Sequence, residues 1–255
     1  MKRKYSNGFS LVEMAVVLVI IGLLLGGLLM PLATQMEQQK ILETRKTIEA
    51  AKEALLGFAA ANGRLPCPAD ENSNGVEIFL SAADNASTGR CAAYPNGSFL
   101  PAVTLGLNGL DSEGYATDAW GIRQNRLRYM VFTGNIGPSN NTFTRADGMR
   151  SAGMATIAGT PELLSICRTN STATNCGGAA NVLTLQAPML VFSLGRNATS
   201  GAPGVDEAQN LNNDTIFVSH EMAAPTAPNG EFDDILSWVS INTLFSRMMT
   251  AGTLP

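Results

Sequence analysis

One histidine, His220, stands in 255 residues, and charged side chains make up only 15% of the chain. That scarcity removes most of the usual apparatus of catalysis. A lone histidine offers no partner for a proton relay or a nitrogen-rich metal centre, and it is more often structural than a base. No G-x-S-x-G, H-E-x-x-H, P-loop or G-x-G-x-x-G pattern occurs, so the chain is not expected to be an enzyme. Long Lys/Arg blocks are also missing. With a formal charge of -4 and a pI near 5.1, nothing draws it generally toward nucleic acid. Zinc is disfavoured because Cys67, Cys91, Cys167 and Cys176 lack the short C-x(2–4)-C spacing. Hydrophobic residues, by contrast, reach 45%, enough for a sizeable core and incompatible with compositional disorder.

Those apolar residues are unevenly placed. Phe9 to Ala33 is almost wholly apolar, and about 20 such residues suffice to span a bilayer as a helix. Lys2, Arg3 and Lys4 precede the run, as expected of a cytoplasmic flank. The run continues into a periodic helix instead of ending at a small-residue cleavage site, so it reads as retained, unlike a secretory signal. Glu13 is the single charge within it. A carboxylate in hydrocarbon is costly and calls for a partner. The plain alternative is an ordinary signal anchor with one acid near its cytoplasmic end.

The order Lys2-Arg3-Lys4-Tyr5-Ser6-Asn7-Gly8, then Phe9-Ser10-Leu11-Val12-Glu13 and the apolar helix, resembles the prepilin leader and cleavage site of type IV pilins and type II secretion pseudopilins. The resemblance implies that a membrane peptidase cuts between Gly8 and Phe9 and methylates the new amino group of Phe9. It also implies that Glu13 pairs with that amine of a neighbouring subunit during filament assembly. The partners so implied are other pilin-like subunits, the prepilin peptidase/methyltransferase and an inner-membrane assembly platform. The implied location is the inner membrane, with a cytoplasmic N terminus and a periplasmic head that joins a filament. The chain then divides into a leader at 1–8, a transmembrane helix at 9–33, an amphipathic helix at 34–63 and a globular head at 64–255.

Ile41, Thr44, Ile48, Ala51, Leu55 and Phe58 recur at spacings of three and four, which predicts that the helix continues outward with one apolar stripe. Asn62-Gly63 signals its end. Beyond it, short apolar runs between Gly, Asn, Ser, Thr and Pro favour strands, at Leu127–Thr133, Leu183–Leu194, Thr215–Ser219 and Asp234–Val239. Ile241–Ala251 has helical spacing. The expected fold is α+β: a long N-terminal helix, its outer half packed on an antiparallel sheet. An even number of cysteines on the non-cytoplasmic side reads as disulfides. Proximity favours Cys67 with Cys91 and Cys167 with Cys176, although three connectivities are open.

Further motifs resemble the heads of major pseudopilins: Asp118-Ala119-Trp120-Gly121 with Leu127-Arg128-Tyr129, Phe192-Ser193-Leu194-Gly195, and Phe232-Asp233-Asp234-Ile235-Leu236-Ser237-Trp238. In that family the loop between the last two motifs binds calcium. Here the loop is longer and carries Asn197 where an acid is expected; Asn197, Asp206, Asp233 and Asp234 are the candidate ligands. The rival calcium loop is Asp70-Glu71-Asn72-Ser73-Asn74-Gly75, where Asp70, Asn72 and Asn74 place oxygens at alternate positions. Its closing acid would fall at Ser81, so the residues favour an Asx-rich turn over a calcium loop. No cofactor is required by either reading. A head of this size points to a minor or accessory filament subunit, the other class of function being an anchored periplasmic binding protein or adhesin.

Overall fold

The computed structural model describes residues 10–92, 98–169, 175–199, 203–212 and 214–255, with the side chains of 25–32 excepted. The chain falls into two compact units, Met1–Leu42 and Glu43–Pro255, and the first helix, α1 (Leu11–Asn62), contributes to both. In the first unit the described apolar side chains from Leu11 to Leu24 are exposed. Among the described residues, no helix is long and apolar enough to cross a membrane.

α1 ends where its sequence says it should. Asn62 donates from Nδ2 to the Phe58 carbonyl, and Gly63 takes φ +67°, its N–H closing on Ala59 O at 2.9 Å. A left-handed residue at that position suits glycine, which has no Cβ to clash. In the second unit the helix buries Thr44, Ile48, Ala51, Leu55 and Ala59, a stripe at intervals of three and four.

The remaining elements are β1 (Arg128–Val131), α2 (Gly148–Ala152), α3 (Met154–Ala158), β2 (Leu164–Cys167), β3 (Val182–Ala187), β4 (Met189–Ser193), α4 (Val205–Asn210), β5 (Ile216–Val218), β6 (Ile235–Val239) and α5 (Ile241–Thr250). Among the described residues the strands form two three-stranded sheets. The first, ordered β1-β4-β6, is antiparallel; the second, ordered β3-β2-β5, joins an antiparallel pair to a parallel β2–β5 pair. The fold is α+β with an antiparallel-rich head. Leu190 and Phe192 of β4 pack with Leu164 and Ile166 of β2 and Phe217 of β5 in one buried cluster, so the core lies between the sheets. Cross-links along α1 are polar: Ser237 of β6 receives Lys52 Nζ at 2.9 Å, and Arg247 of α5 reaches Glu53 at 2.8 Å.

The expected single strand Leu183–Leu194 is two strands in two sheets. Pro188 separates them, and without an N–H it cannot extend a ladder. β2 has no counterpart among the strands expected from the sequence. Its four residues are all buried, so it lacks the alternation that marks a half-buried strand. The chain carries two disulfides, Cys67–Cys91 and Cys167–Cys176. The first closes the loop after α1, where Arg64 forms a buried two-pronged pair with Glu77 at 2.6 and 2.8 Å. The second lies beside β2 and packs with Ile216.

Leu55 is fully buried in the second unit. Leu55→Ala should cost about 2–5 kcal/mol through lost burial and the cavity left behind. Urea unfolding of the full-length chain in detergent would show this as a lower midpoint, whereas an unchanged midpoint would mean that the outer part of α1 is not integral to the head.

Candidate functional site

Two places in the chain concentrate chemistry that the core does not require. The first is the start of α1. Ser10 Oγ accepts the Glu13 N–H at 3.2 Å while the Glu13 carboxylate accepts the Ser10 N–H at 2.8 Å. This reciprocal capping box satisfies donors that the first turn of a helix leaves open. It also gives the one acid of the apolar run a partner within its own chain. Gly8 and Phe9 lie outside the described residues.

The second is in the head, where the end of β4, the start of α4 and the start of β6 converge. Glu207, Asp233 and Asp234 are all buried, and their carboxylate oxygens lie within 4.8 Å of one another. Glu207 is held by N–H donors: Gly204 N at 3.0 Å, Asp233 N at 2.8 Å and Asn197 Nδ2 at 3.0 Å. Asp233 Oδ2 accepts the backbone N–H groups of Arg196 and Asn197 at 3.1 and 3.2 Å. Asp233 Oδ1 is buried and finds no hydrogen-bond donor among the described residues. Asp234 receives Asn210 Nδ2 at 2.8 Å.

The electrostatics result from this crowding. Burial first, then the neighbouring Glu207 charge, push the Asp233 carboxyl up to about 7. Asp234 is raised well above the ordinary carboxylate range, again by burial first. Arg128, the nearby half-buried cation, is lowered to about 10 by desolvation, an effect that the charge of Asp234 opposes. Without a cation, the cluster relieves repulsion by holding protons. The donors are all hard oxygens, with no thiolate or imidazole among them, which suits a Ca²⁺-type ion and not a soft metal. Three buried carboxylates, one of them with an oxygen that finds no donor among the described residues, fit such an ion. A cavity of about 130 Å³ lined by Asn197, Pro203, Glu207 and Asp234 adjoins the cluster.

The sequence candidates distribute unevenly over this site. Asp233 and Asp234 are in it, and Asn197 touches it through Glu207 and Asp233. Asp206 is directed elsewhere: it accepts Thr169 Oγ1 at 3.1 Å and Asn229 Nδ2 at 3.0 Å, and it meets His220 Nε2 at 3.2 Å. Glu207, one residue along, takes the place expected of it. A single step on a helix turns the side chain by about 100°, so naming one acid of an adjacent pair decides the face. The available signal was the three-residue spacing from Gly204, a helix-start pattern in which the acid folds back onto the N-cap. His220 stacks on Phe232, with ring centroids 3.9 Å apart, in a structural setting.

The Asp70 loop is organised without a second acid. Asp70 Oδ1 accepts the Asn72 N–H at 2.9 Å, an Asx turn, and the Tyr115 hydroxyl bridges Asp70 O at 2.6 Å and Asn74 N at 3.0 Å. Among the described residues, Glu207, Asp233 and Asp234 are the group of three His, Cys, Asp or Glu side chains disposed to hold a metal.

Comparison with known proteins adds one finding. Residues 3–29 match the family model of the prokaryotic N-terminal methylation motif, the prepilin-type signal. No curated protein and no solved structure is significantly similar to the chain.

The raised carboxyls make metal-free stability depend on pH. Asp233 binds a proton in the folded chain up to about 7 but in the unfolded chain only up to its ordinary value of 3.8. Between those values the folded state holds more protons, so stability falls as pH rises. In chelator, the melting temperature of the full-length protein should therefore drop from about pH 5 to about pH 8. Added Ca²⁺ should raise it, and more at pH 8, because a cation competes with the protons for the same oxygens. A melting temperature unmoved by Ca²⁺ at pH 8 would exclude the cluster as a cation site.

Proposed function

We propose that this chain, which carries the prokaryotic N-terminal methylation motif at residues 3–29, is a prepilin: a structural subunit, of the minor pilin or pseudopilin kind, of a type IV pilus or type II secretion filament. The motif is the observation that carries the reading. In it, the subunit waits in the inner membrane with its N terminus in the cytoplasm and its head in the periplasm. The peptidase cuts between Gly8 and Phe9 and methylates the Phe9 amine, and the apolar helix stays attached to the head.

The capping box supports a physical account of assembly. In the single chain, the Glu13 carboxylate is engaged by the Ser10 N–H and is not left bare in the apolar run. Cleavage creates a cation one residue before Ser10. When helices bundle, the Phe9 amine of a neighbour offers Glu13 a full positive charge in place of a neutral N–H, a stronger interaction in a medium of low dielectric. That difference favours the assembled state and fixes the axial register of one subunit on the next. Two disulfides in the head suit an oxidising compartment outside the cytoplasm.

In the head, Glu207, Asp233 and Asp234 hold calcium in this reading, with Asn197 orienting Glu207. When bound, the ion supplies charge neutralisation that ties the long loop after β4 to the start of β6. The partners are other pilin-like subunits, the prepilin peptidase and the inner-membrane assembly platform, and the chain performs no catalysis.

Mass spectrometry of the N-terminal peptide, with and without a co-expressed prepilin peptidase, tests the processing step. A chain beginning at methylated Phe9 only when the peptidase is present is the expected outcome. A chain still beginning at Met1, or cut beyond the apolar run, would overturn the reading. Glu13→Ala should be processed nearly normally, yet its recovery in sheared filaments should fall by roughly tenfold or more, because the processed amine loses its partner. Normal incorporation of that variant would remove the pairing from the account.

A further inference from the structure

The carboxylate cluster is shaped by residues that never touch it. Asp118 is buried and heads the Asp118-Ala119-Trp120-Gly121 turn, where its Oδ1 accepts the Trp120 N–H at 2.9 Å. Its other oxygen, Oδ2, accepts Asn125 Nδ2 at 2.8 Å and the Ser193 hydroxyl at 2.5 Å. Both of those partners then grip the same residue. Ser193 Oγ accepts the Gly195 N–H at 3.0 Å, and Asn125 Nδ2 donates to the Gly195 carbonyl at 2.5 Å. Both polar backbone groups of Gly195 are thus fixed from one carboxylate.

Gly195 in turn sets Asp233. It adopts φ +66°, and a Cβ there would collide with Asp233 Oδ1. A glycine is required both by the backbone and by the close approach of the acid. The next two N–H groups, of Arg196 and Asn197, bind Asp233 Oδ2. The three-residue strap Gly195-Arg196-Asn197 therefore decides where Asp233 sits, with its Oδ1 against Gly195 and its Oδ2 on the two amides.

We propose that Asp118 is a positioning residue of the head's cation site, acting through the Ser193–Asn125 clamp on Gly195 to hold Asp233 in its liganding pose. The proposal rests on the reading of Glu207, Asp233 and Asp234 as a calcium site. Its chemistry is directional. In Asp118→Asn, Oδ1 remains the acceptor for Trp120 N–H, so the new Nδ2 faces Asn125 Nδ2, donor against donor. Asn125 can relieve this only by turning its amide, which sets its oxygen against the Gly195 carbonyl and opens the clamp.

Isothermal titration of the full-length protein in detergent with CaCl₂, alongside melting curves in chelator, provides the test. The wild type should bind one Ca²⁺, and Asp118→Asn should weaken binding by roughly tenfold or more although every carboxylate of the cluster remains. The double variant Asp118→Asn with Asn125→Asp restores the 118–125 hydrogen bond but still sets an oxygen against Gly195 O. It should regain melting temperature in chelator without regaining affinity. Ser193→Ala, which removes the grip on the Gly195 N–H together with the hydroxyl donated to Asp118, should weaken binding in the same direction and serves if Asp118→Asn does not fold. Full affinity in Asp118→Asn or Ser193→Ala, or affinity restored by the double variant, would overturn the clamp while leaving the calcium site standing. A wild type that takes up no Ca²⁺ would overturn the site itself, and the positioning role with it.

Discussion

Glu207, Asp233 and Asp234 place as many as three negative charges within 4.8 Å of one another inside the head, where solvent screening is weak. Such an arrangement persists only if each charge is offset, and the local fold consists largely of the offsets. Gly204 opens α4 so that Glu207 can fold back on its N–H; the strap after β4 turns two amides onto Asp233; Asn210 closes on Asp234. The repulsion that hydrogen bonding leaves, the rise of the Asp233 and Asp234 carboxyls relieves by protonation. A buried oxygen of Asp233 nevertheless stays without a donor among the described residues. Hydrogen bonds and the Arg196 guanidinium 4.0 Å from Asp233 organise the cluster, and the oxygen they leave without a donor is the physical ground on which a divalent ion is proposed there.

The same rule operates at the other end of the chain in a different medium. Glu13 is one acid in a long apolar run, and among the described residues the partner of its carboxylate is neutral, the Ser10 N–H. In the proposed reading, the head's shortage of positive charge is met by protons or a soluble ion, whereas in the apolar helix neither is readily supplied and the charge comes from the amine of a neighbouring subunit.

How much of this was legible in the sequence depends on the range of the interactions concerned. Local signals were readable: the three-and-four spacing of Thr44, Ile48, Ala51 and Leu55, the Asn62-Gly63 stop, and the spacing of Ile241–Thr250. Each is set by neighbours within a turn or two. The failures involve partners far apart. β2 is flanked by β3 and β5 and packed against residues of β4, all of them later in the chain, and its own four buried residues carry no alternation. Pro188 was visible, but that it sends β3 and β4 to different sheets depends on what each one pairs with. In the cluster, Asp233 and Asp234 belong to a motif legible in the sequence, whereas which of the adjacent Asp206 and Glu207 faces them is set by the rotation of α4 about its axis.

Asp118 shows why the last layer was invisible. Its motif could be read as a turn, since the Trp120 N–H it accepts is two residues away, but its remaining oxygen works at a distance of 75 residues on Ser193. Nothing in the composition of residues 118–121 announces that second role. The carboxylate is used twice, once to shape its own turn and once to fix the backbone of Gly195, and an amide would serve the first task while reversing the sign of the second. The requirement for aspartate at this position is therefore set less by the turn it begins than by the donors converging on its other oxygen. That dependence carries the constraint from one loop of the head to the carboxylates of another.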